Sequence, residues 1–338
     1  MKKSVFAILL LLLVCSCSNQ QSSNVPNVIF ETDMGNDVDD ALALVLLLHY
    51  HDAGAINLSA VCCNKARYSA SQYVHLVNCF YGHPEIPIGQ VSGTPLTDNA
   101  NPDYAGKVLA MQNPDGTPVF TCPELKNEDI PEAVSLYRKT LAALPDTSTT
   151  IVSVGFSTNI ARLLKSPADE YSPLTGMELV RQKVKLFSIM ACDFKNSNHA
   201  EYNVEQNVPD AKFVFDNSPV PVVFTPYEVG TAIMYPATTI ESGFNWAKAN
   251  PVSEGYKHYL QMPYDRPTWD VIASLYAVDA SEQYFSMSPW GQVNIDEQGR
   301  STFTPCENGK HAYLTVNKEQ IENTLRRLIE TTTYQPAK

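Results

Sequence analysis

The chain has 338 residues, 44% of them hydrophobic and 18% charged. That leaves room for one large domain or two small ones, in a composition ordinary for a folded globular protein. A formal net charge of −12 excludes the basic surface that non-specific nucleic-acid binding needs, so no nucleic-acid partner is expected.

Lys2 and Lys3 precede an apolar run from Val5 to Val14. The run is far shorter than the ~20 residues of a spanning helix and reads as a secretory signal. Its end, Val14-Cys15-Ser16-Cys17, resembles a bacterial lipobox with Cys17 as the lipidated residue. Residues 1–17 are then a lipoprotein signal, and the polar stretch 18–26 is a flexible tether. A mature protein held by lipid at the bacterial cell envelope, periplasmic or anchored to the outer membrane, is expected. Six cysteines follow: Cys62, Cys63, Cys79, Cys122, Cys192 and Cys306. The compartment permits disulfides. The count is too low for a disulfide scaffold, so most are expected to be small buried hydrophobes.

From there strands and helices alternate. Asn27–Thr32 reads as a buried strand, and Asp40–Tyr50, apolar nearly throughout and too long for a strand, as a buried helix. Leu58–Cys62 is a second strand and Ala66–Phe80 a helix. Residues 84–128, rich in Pro, Gly, Asn and Asp, read mainly as loop. Ile130–Leu144 is a helix, Thr150–Val154 a strand, and Asn159–Leu164 lies in a helix. Lys183–Met190 and Val220–Phe224 are further strands; helices fall near 208–216, 252–262, 268–280 and 317–331. This alternation predicts one α/β domain over 27–338, an open, mostly parallel sheet with helices on both faces. Such sheets bind ligands outside the carboxyl ends of their strands, which directs attention to residues just after strands.

Glu31, Asp33, Asp37, Asp39 and Asp40 crowd the turn between the first strand and the first helix. Close like charges repel. Helix N-terminal amides suit Asp39 and Asp40, and a hard divalent cation suits several oxygens at once. A single Asp here would be an ordinary helix cap; three between apolar runs point to a site. An EF-hand beginning at Asp33 fails, because its third and twelfth positions are Gly35 and Leu44. No P-loop, dinucleotide fingerprint or nucleophile elbow is present.

The text Glu31-Thr32-Asp33-Met34-Gly35-Asn36-Asp37-Val38-Asp39-Asp40-Ala41 resembles the opening D-x-D-x-G-x-D-D of the inosine–uridine-type nucleoside hydrolase family. Glu31 replaces the first Asp, and two residues are inserted before the final pair. Val61-Cys62-Cys63-Asn64 resembles the end of the family's second strand, normally Gly-Asn. Ser153-Val154-Gly155-Phe156-Ser157-Thr158-Asn159-Ile160-Ala161 is similar to its G-x-[LS]-T-N-[IV]-A segment, and Glu201-Tyr202-Asn203-Val204 to its E-[FY]-N-[IV]. Trp269-Asp270 stands where the family has His-Asp.

The resemblance implies a Rossmann-like fold and calcium-dependent hydrolysis of the N-glycosidic bond of ribosides. It implies that Asp33, Asp40, Asp270 and the Val154 carbonyl bind Ca²⁺, with Asp33 also the general base. Asp39, Asn64 and Asn203 would hold ribose hydroxyls, and Glu201 would face the 5′ end. Trp269, whose indole supplies no titrating proton near neutral pH, is expected either to stack on the base or to pack in the core. His199 and Arg266 are expected to be surface or packing residues, Glu31 and Asp37 carry no assigned role, and Asp193, Asn196 and Asn198 are not distinguished as a further sugar ligand. The expected partners are a small riboside and a bilayer reached through the anchor; a homo-oligomer is left open. Two rivals stand beside the enzyme: a lipid-anchored riboside-binding protein without turnover, and a calcium-dependent glycosidase of another riboside.

Overall fold

Asn27–Thr32 is buried at every position, as a strand covered on both faces must be. It forms β1 of a computed structural model that describes residues 25–93 and 103–337. The signal, Cys17 and the tether up to residue 24 lie outside the described residues. After β1 come α1 (Asp39–Asp52), β2 (Asn57–Cys63), α2 (Tyr68–Phe80), β3 (Ile88–Gln90), α3 (Tyr104–Leu109) and α4 (Ala133–Ala143). Then follow β4 (Thr149–Ser153), α5 (Thr158–Lys165), α6 (Gly176–Lys183), β5 (Val184–Met190), α7 (Tyr202–Glu205), α8 (Val208–Asn217), β6 (Val222–Thr225) and α9 (Tyr227–Ala232). The chain continues through β7 (Met234–Tyr235), α10 (Ala237–Ser242), α11 (Pro251–Tyr259), β8 (Arg266–Pro267) and α12 (Trp269–Val278). It ends with β9 (Ser286–Met287), β10 (Gly291–Ile295), β11 (Ser301–Pro305), β12 (His311–Thr315) and α13 (Lys318–Thr332).

The main sheet runs β11-β10-β12-β6-β5-β4-β1-β2-β3. From β3 to β12 all neighbours are parallel; β10 and β11 add antiparallel at the far edge. Successive residues of β1 feed two cores: Val28 and Phe30 pack toward α1 and α12, Ile29 toward α4, α5 and α6. Helices therefore cover both faces, as expected. α1 is buried nearly all round, which its continuous apolar text requires. The strand order reverses between β1 and β4, and a crevice opens at such a switch point.

Several differences from the sequence reading have physical causes. The stretch 84–128 contains β3 and α3, both short and flanked by turn residues. α6 begins with a capping box, Thr175 and Glu178 satisfying each other's backbone N–H; that signal was readable. β9 to β12 are short segments whose pattern is set by pairing with neighbours distant in sequence. Cys79 and Cys122 are joined in a disulfide that ties the end of α2 to the following loop. Cys62, Cys63 and Cys192 are buried and free, whereas Cys306 is exposed. Among the described residues no helix is long and apolar enough to cross a membrane.

Candidate active site

The acidic turn leaves β1 at its carboxyl end. Gly35 adopts φ +91°, a left-handed conformation that favours glycine. The turn closes with the Asn36 N–H donating to the Asp33 carbonyl at 3.1 Å, and the Asn36 amide donates to Asp33 Oδ2 at 2.9 Å. Tyr104 fastens the turn from outside: its hydroxyl donates to the Asp37 carbonyl at 2.8 Å and accepts from the Gly35 N–H at 3.1 Å. The buried Lys65 ammonium donates to the Gly35 carbonyl at 3.2 Å.

Asp39 and Asp40 follow in the first turn of α1, where the helix dipole favours negative charge. Asp39 Oδ2 accepts the Asp270 N–H at 3.0 Å, joining the starts of α1 and α12. Asp40 Oδ1 accepts the Thr32 hydroxyl. The remaining oxygens, Asp39 Oδ1 and Asp40 Oδ2, are buried without a partner. Across the switch point, Val154 follows β4, and its carbonyl accepts the Asn203 amide at 3.1 Å. The next residue must be small: a Cβ on Gly155 would lie 2.7 Å from both the Asp33 nitrogen and Asn64 Oδ1.

Burial pushes these acids upward. Asp33 rises to about 7, with Lys65 opposing the shift. Asp39, Asp40 and Asp270 are held well above the usual carboxylate range by burial first and then by neighbouring carboxylates, Asp37 in the case of Asp39. Glu201 rises to about 8 for the same first reason. Buried carboxylates facing each other with unpartnered oxygens need positive charge. The donors are all oxygens, with no thiolate or imidazole, so the set fits a hard divalent cation.

The acids open onto a cavity of about 250 Å³. Asp33, Asp39, Asp270, Val154, Glu201 and Asn203 all line it. The rest is largely aromatic, with Tyr227 and Trp269 stacked at 5.4 Å and 24°. The indole N–H donates to the Tyr227 carbonyl at 3.0 Å. Arg266 lies over the Trp269 ring, 5.3 Å from its centre, and is gripped by Asp37 through two hydrogen bonds.

The profile of the family described as inosine-uridine preferring nucleoside hydrolase matches residues 28–324. The chain belongs to this family. Its hydrolases cleave N-glycosidic bonds, and the chain is an N-ribosyl hydrolase. The fold is similar to that of a plant nucleoside hydrolase, at TM-score 0.68 and 16% identity over 92% of this chain and 100% of that one. A purine-preferring ribonucleoside hydrolase from Gardnerella vaginalis superposes at TM-score 0.68 with 16% identity, over 91% and 98% of the two chains. An inosine-uridine preferring nucleoside hydrolase from Bacillus anthracis does so at 0.64 with 18% identity, over 90% and 99%. A comparison with curated proteins returns no match.

In this hydrolase, Asp33, Asp39, Val154, Glu201, Asn203, Trp269 and Asp270 all line the cavity. Asp40 is fully buried, with its Oδ2 unpartnered. Asn64 is fully buried behind the Asp33 turn, its amide donating to Glu31 Oε1 at 3.1 Å and the Phe156 carbonyl at 2.9 Å. Glu31 also accepts the Tyr137 hydroxyl, so it braces the turn from below. Glu201 caps α7, its side chain accepting the Asn203 N–H at 3.0 Å, and both residues line the cavity. His199 and Arg266, read as surface or packing residues, line the cavity, as do Asn36, Tyr202, Tyr227 and Tyr259. Of these, Asn36 and Tyr202 carried a sequence signal, from their places in the acidic turn and between Glu201 and Asn203.

Proposed function

We propose that the hydrolase is calcium-dependent and acts on ribonucleosides or closely related ribosides, with Asp33, Asp40, Asp270 and the Val154 carbonyl holding the ion. The observation that carries this reading is the pair of buried, unpartnered oxygens on Asp39 and Asp40 within an all-oxygen cluster. When bound, the cation neutralises that cluster and acidifies a water in the cleft. Asp33, whose carboxylate faces the cavity, takes a proton from the attacking water as the general base. Asp39 and Asn203 hold the ribose hydroxyls and Glu201 the 5′ end, with Asn64 keeping the Asp33 turn in place. Fixing the sugar in this way stabilises an oxocarbenium-like transition state. Tyr227 and Trp269 present the apolar wall that receives the base.

Sugar release from a nucleoside panel, with and without a calcium chelator, tests the reading. We expect release that chelation abolishes and calcium restores, and riboside binding without release in Asp33→Asn. Binding without release in the wild type would sink the enzymatic reading; release indifferent to chelation would sink the calcium requirement. We further infer that Cys17 carries a lipid that anchors the protein at the cell envelope, on the strength of the text from Lys2 to Cys17. Native protein and Cys17→Ala fractionating identically would refute this.

A further inference from the structure

The segment from Asp193 to His199 matches none of the sequence motifs, yet it closes part of the cleft. His199 lines the cavity with its side chain 34% exposed. Its Nδ1 lies 2.9 Å from Asp193 Oδ2, which leaves Nε2 as the nitrogen available to a ligand. Asp193 is itself held rigidly and is only 3% exposed. Its Oδ1 accepts the Lys195 N–H at 3.0 Å and the Asn196 N–H at 2.9 Å. Its main chain is clasped by Ser301, whose hydroxyl accepts the Asp193 N–H at 3.0 Å and donates to the Asp193 carbonyl at 3.1 Å. Glu228, pushed up to about 7 by burial, shares a hydrogen bond with the same carboxyl. A carboxylate fixed by backbone donors and aimed at one imidazole nitrogen is how a fold selects a tautomer and a ring orientation.

The imidazole stands at the aromatic wall. It meets the Tyr227 ring edge-on at 4.7 Å, and the other neighbour of Tyr227 is Trp269. Three other polar groups along that wall are committed. The Trp269 N–H is spent on a carbonyl, the Arg266 guanidinium is gripped by Asp37, and the Tyr202 hydroxyl donates to Asn36 at 3.2 Å. Imidazole is also the side-chain type that gives up a proton near neutral pH.

We propose that His199, oriented by Asp193, is the acid that protonates the departing base. The inference rests on the nucleoside-hydrolysis reading above. As the C1′–N bond breaks, its electron pair moves into the base, and the Nε2 proton of the doubly protonated His199 ring, whose Nδ1–H faces Asp193, passes to a basic atom of that base. Water supplies the hydroxyl that C1′ gains, and its proton goes to Asp33. Asp33 then releases a proton to solvent and His199 takes one back, so the net reaction is riboside plus water to ribose plus base. His199 is the catalytic residue here and Asp193 a positioning residue.

The test compares two leaving groups: inosine, whose base departs with a proton, and 4-nitrophenyl β-D-ribofuranoside, whose nitrophenolate departs without one. His199→Asn keeps an amide to donate to Asp193 but removes the acid. Its kcat on inosine should fall by ~100-fold or more, and that on the nitrophenyl riboside by no more than about threefold. Asp193→Asn should show the same selectivity with a smaller loss, a pattern that a merely structural role does not produce. Each variant's ratio of the two rates is independent of how much of it is folded. Equal losses on both substrates, or no loss on inosine, overturn the assignment while leaving the functional reading intact. A wild type that cleaves neither substrate overturns both.

Discussion

Gly155→Ala tests whether the switch-point crevice depends on the close approach of two strands. An alanine Cβ would stand 2.7 Å from the Asp33 backbone nitrogen and from Asn64 Oδ1, where ordinary contact begins at 3.4 Å. Something must therefore move by about 0.7 Å. Neither neighbour is a flexible side-chain end. Asn64 is pinned by its bonds to Glu31 and Phe156, and the Asp33 nitrogen belongs to a turn held by Asn36, Tyr104 and Lys65. Overpacking of this kind costs about 1–3 kcal/mol. A displacement of that size at Asp33, the general base of the proposed reaction, costs roughly 100-fold in rate. Sugar release at saturating nucleoside, together with thermal unfolding, measures both effects. We expect a kcat lower by about two orders of magnitude and a Tm lower by a few degrees. A variant with wild-type kcat and wild-type Tm would refute the claim that this contact sets the position of Asp33.

Arg266→Met leaves Asp37 half-buried and unpaired and should cost about 2 kcal/mol, short of the penalty for a fully buried pair. Adding Asp37→Asn should recover at least half of that in denaturant unfolding; a double variant no more stable than the single would show the pair is not coupled. His311, buried beside β10, has Nδ1 accepting the Val293 N–H at 2.9 Å, and burial lowers its pKa to about 4 from 6.5. The unfolded chain thus binds a proton that the folded one refuses between those values. The contribution is complete above pH 6.5 and is lost as pH falls toward 4, amounting to roughly 3 kcal/mol. Unfolding free energies of the native protein and His311→Asn should converge as the pH drops across that window. A constant difference would dismiss the linkage.

How much of this was legible from the sequence depends on how far apart the interacting residues stand. β1, α1, β2, α2 and β4 were read close to their observed bounds because their apolar patterns are local and both sheet faces are buried. The Asp33, Asp39 and Asp40 turn was visible for the same reason, a charged cluster between two apolar runs. Val154, Glu201 and Asp270, which line the cavity, drew attention because short local motifs follow strands or open helices; Asn64, expected on the same ground to hold a ribose hydroxyl, is instead buried behind the Asp33 turn. β9 to β12 were missed because their pairing partners, not their own composition, make them strands.

The sequence alone thus settled the alternating architecture and the crowding of acids in the turn after β1, since neighbouring residues dictate periodicity and charge density. Only the tertiary structure decided what surrounds those acids. Asp37 and Arg266 are 229 positions apart, and Asp39 meets the Asp270 N–H across 231. Asp193 and His199 are close in the chain, but their place on the cleft wall depends on Ser301 and Tyr227 arriving from elsewhere. Hydrogen bonds and ring contacts act over a few ångströms in space, and no local pattern records which distant segment the fold brings within that range.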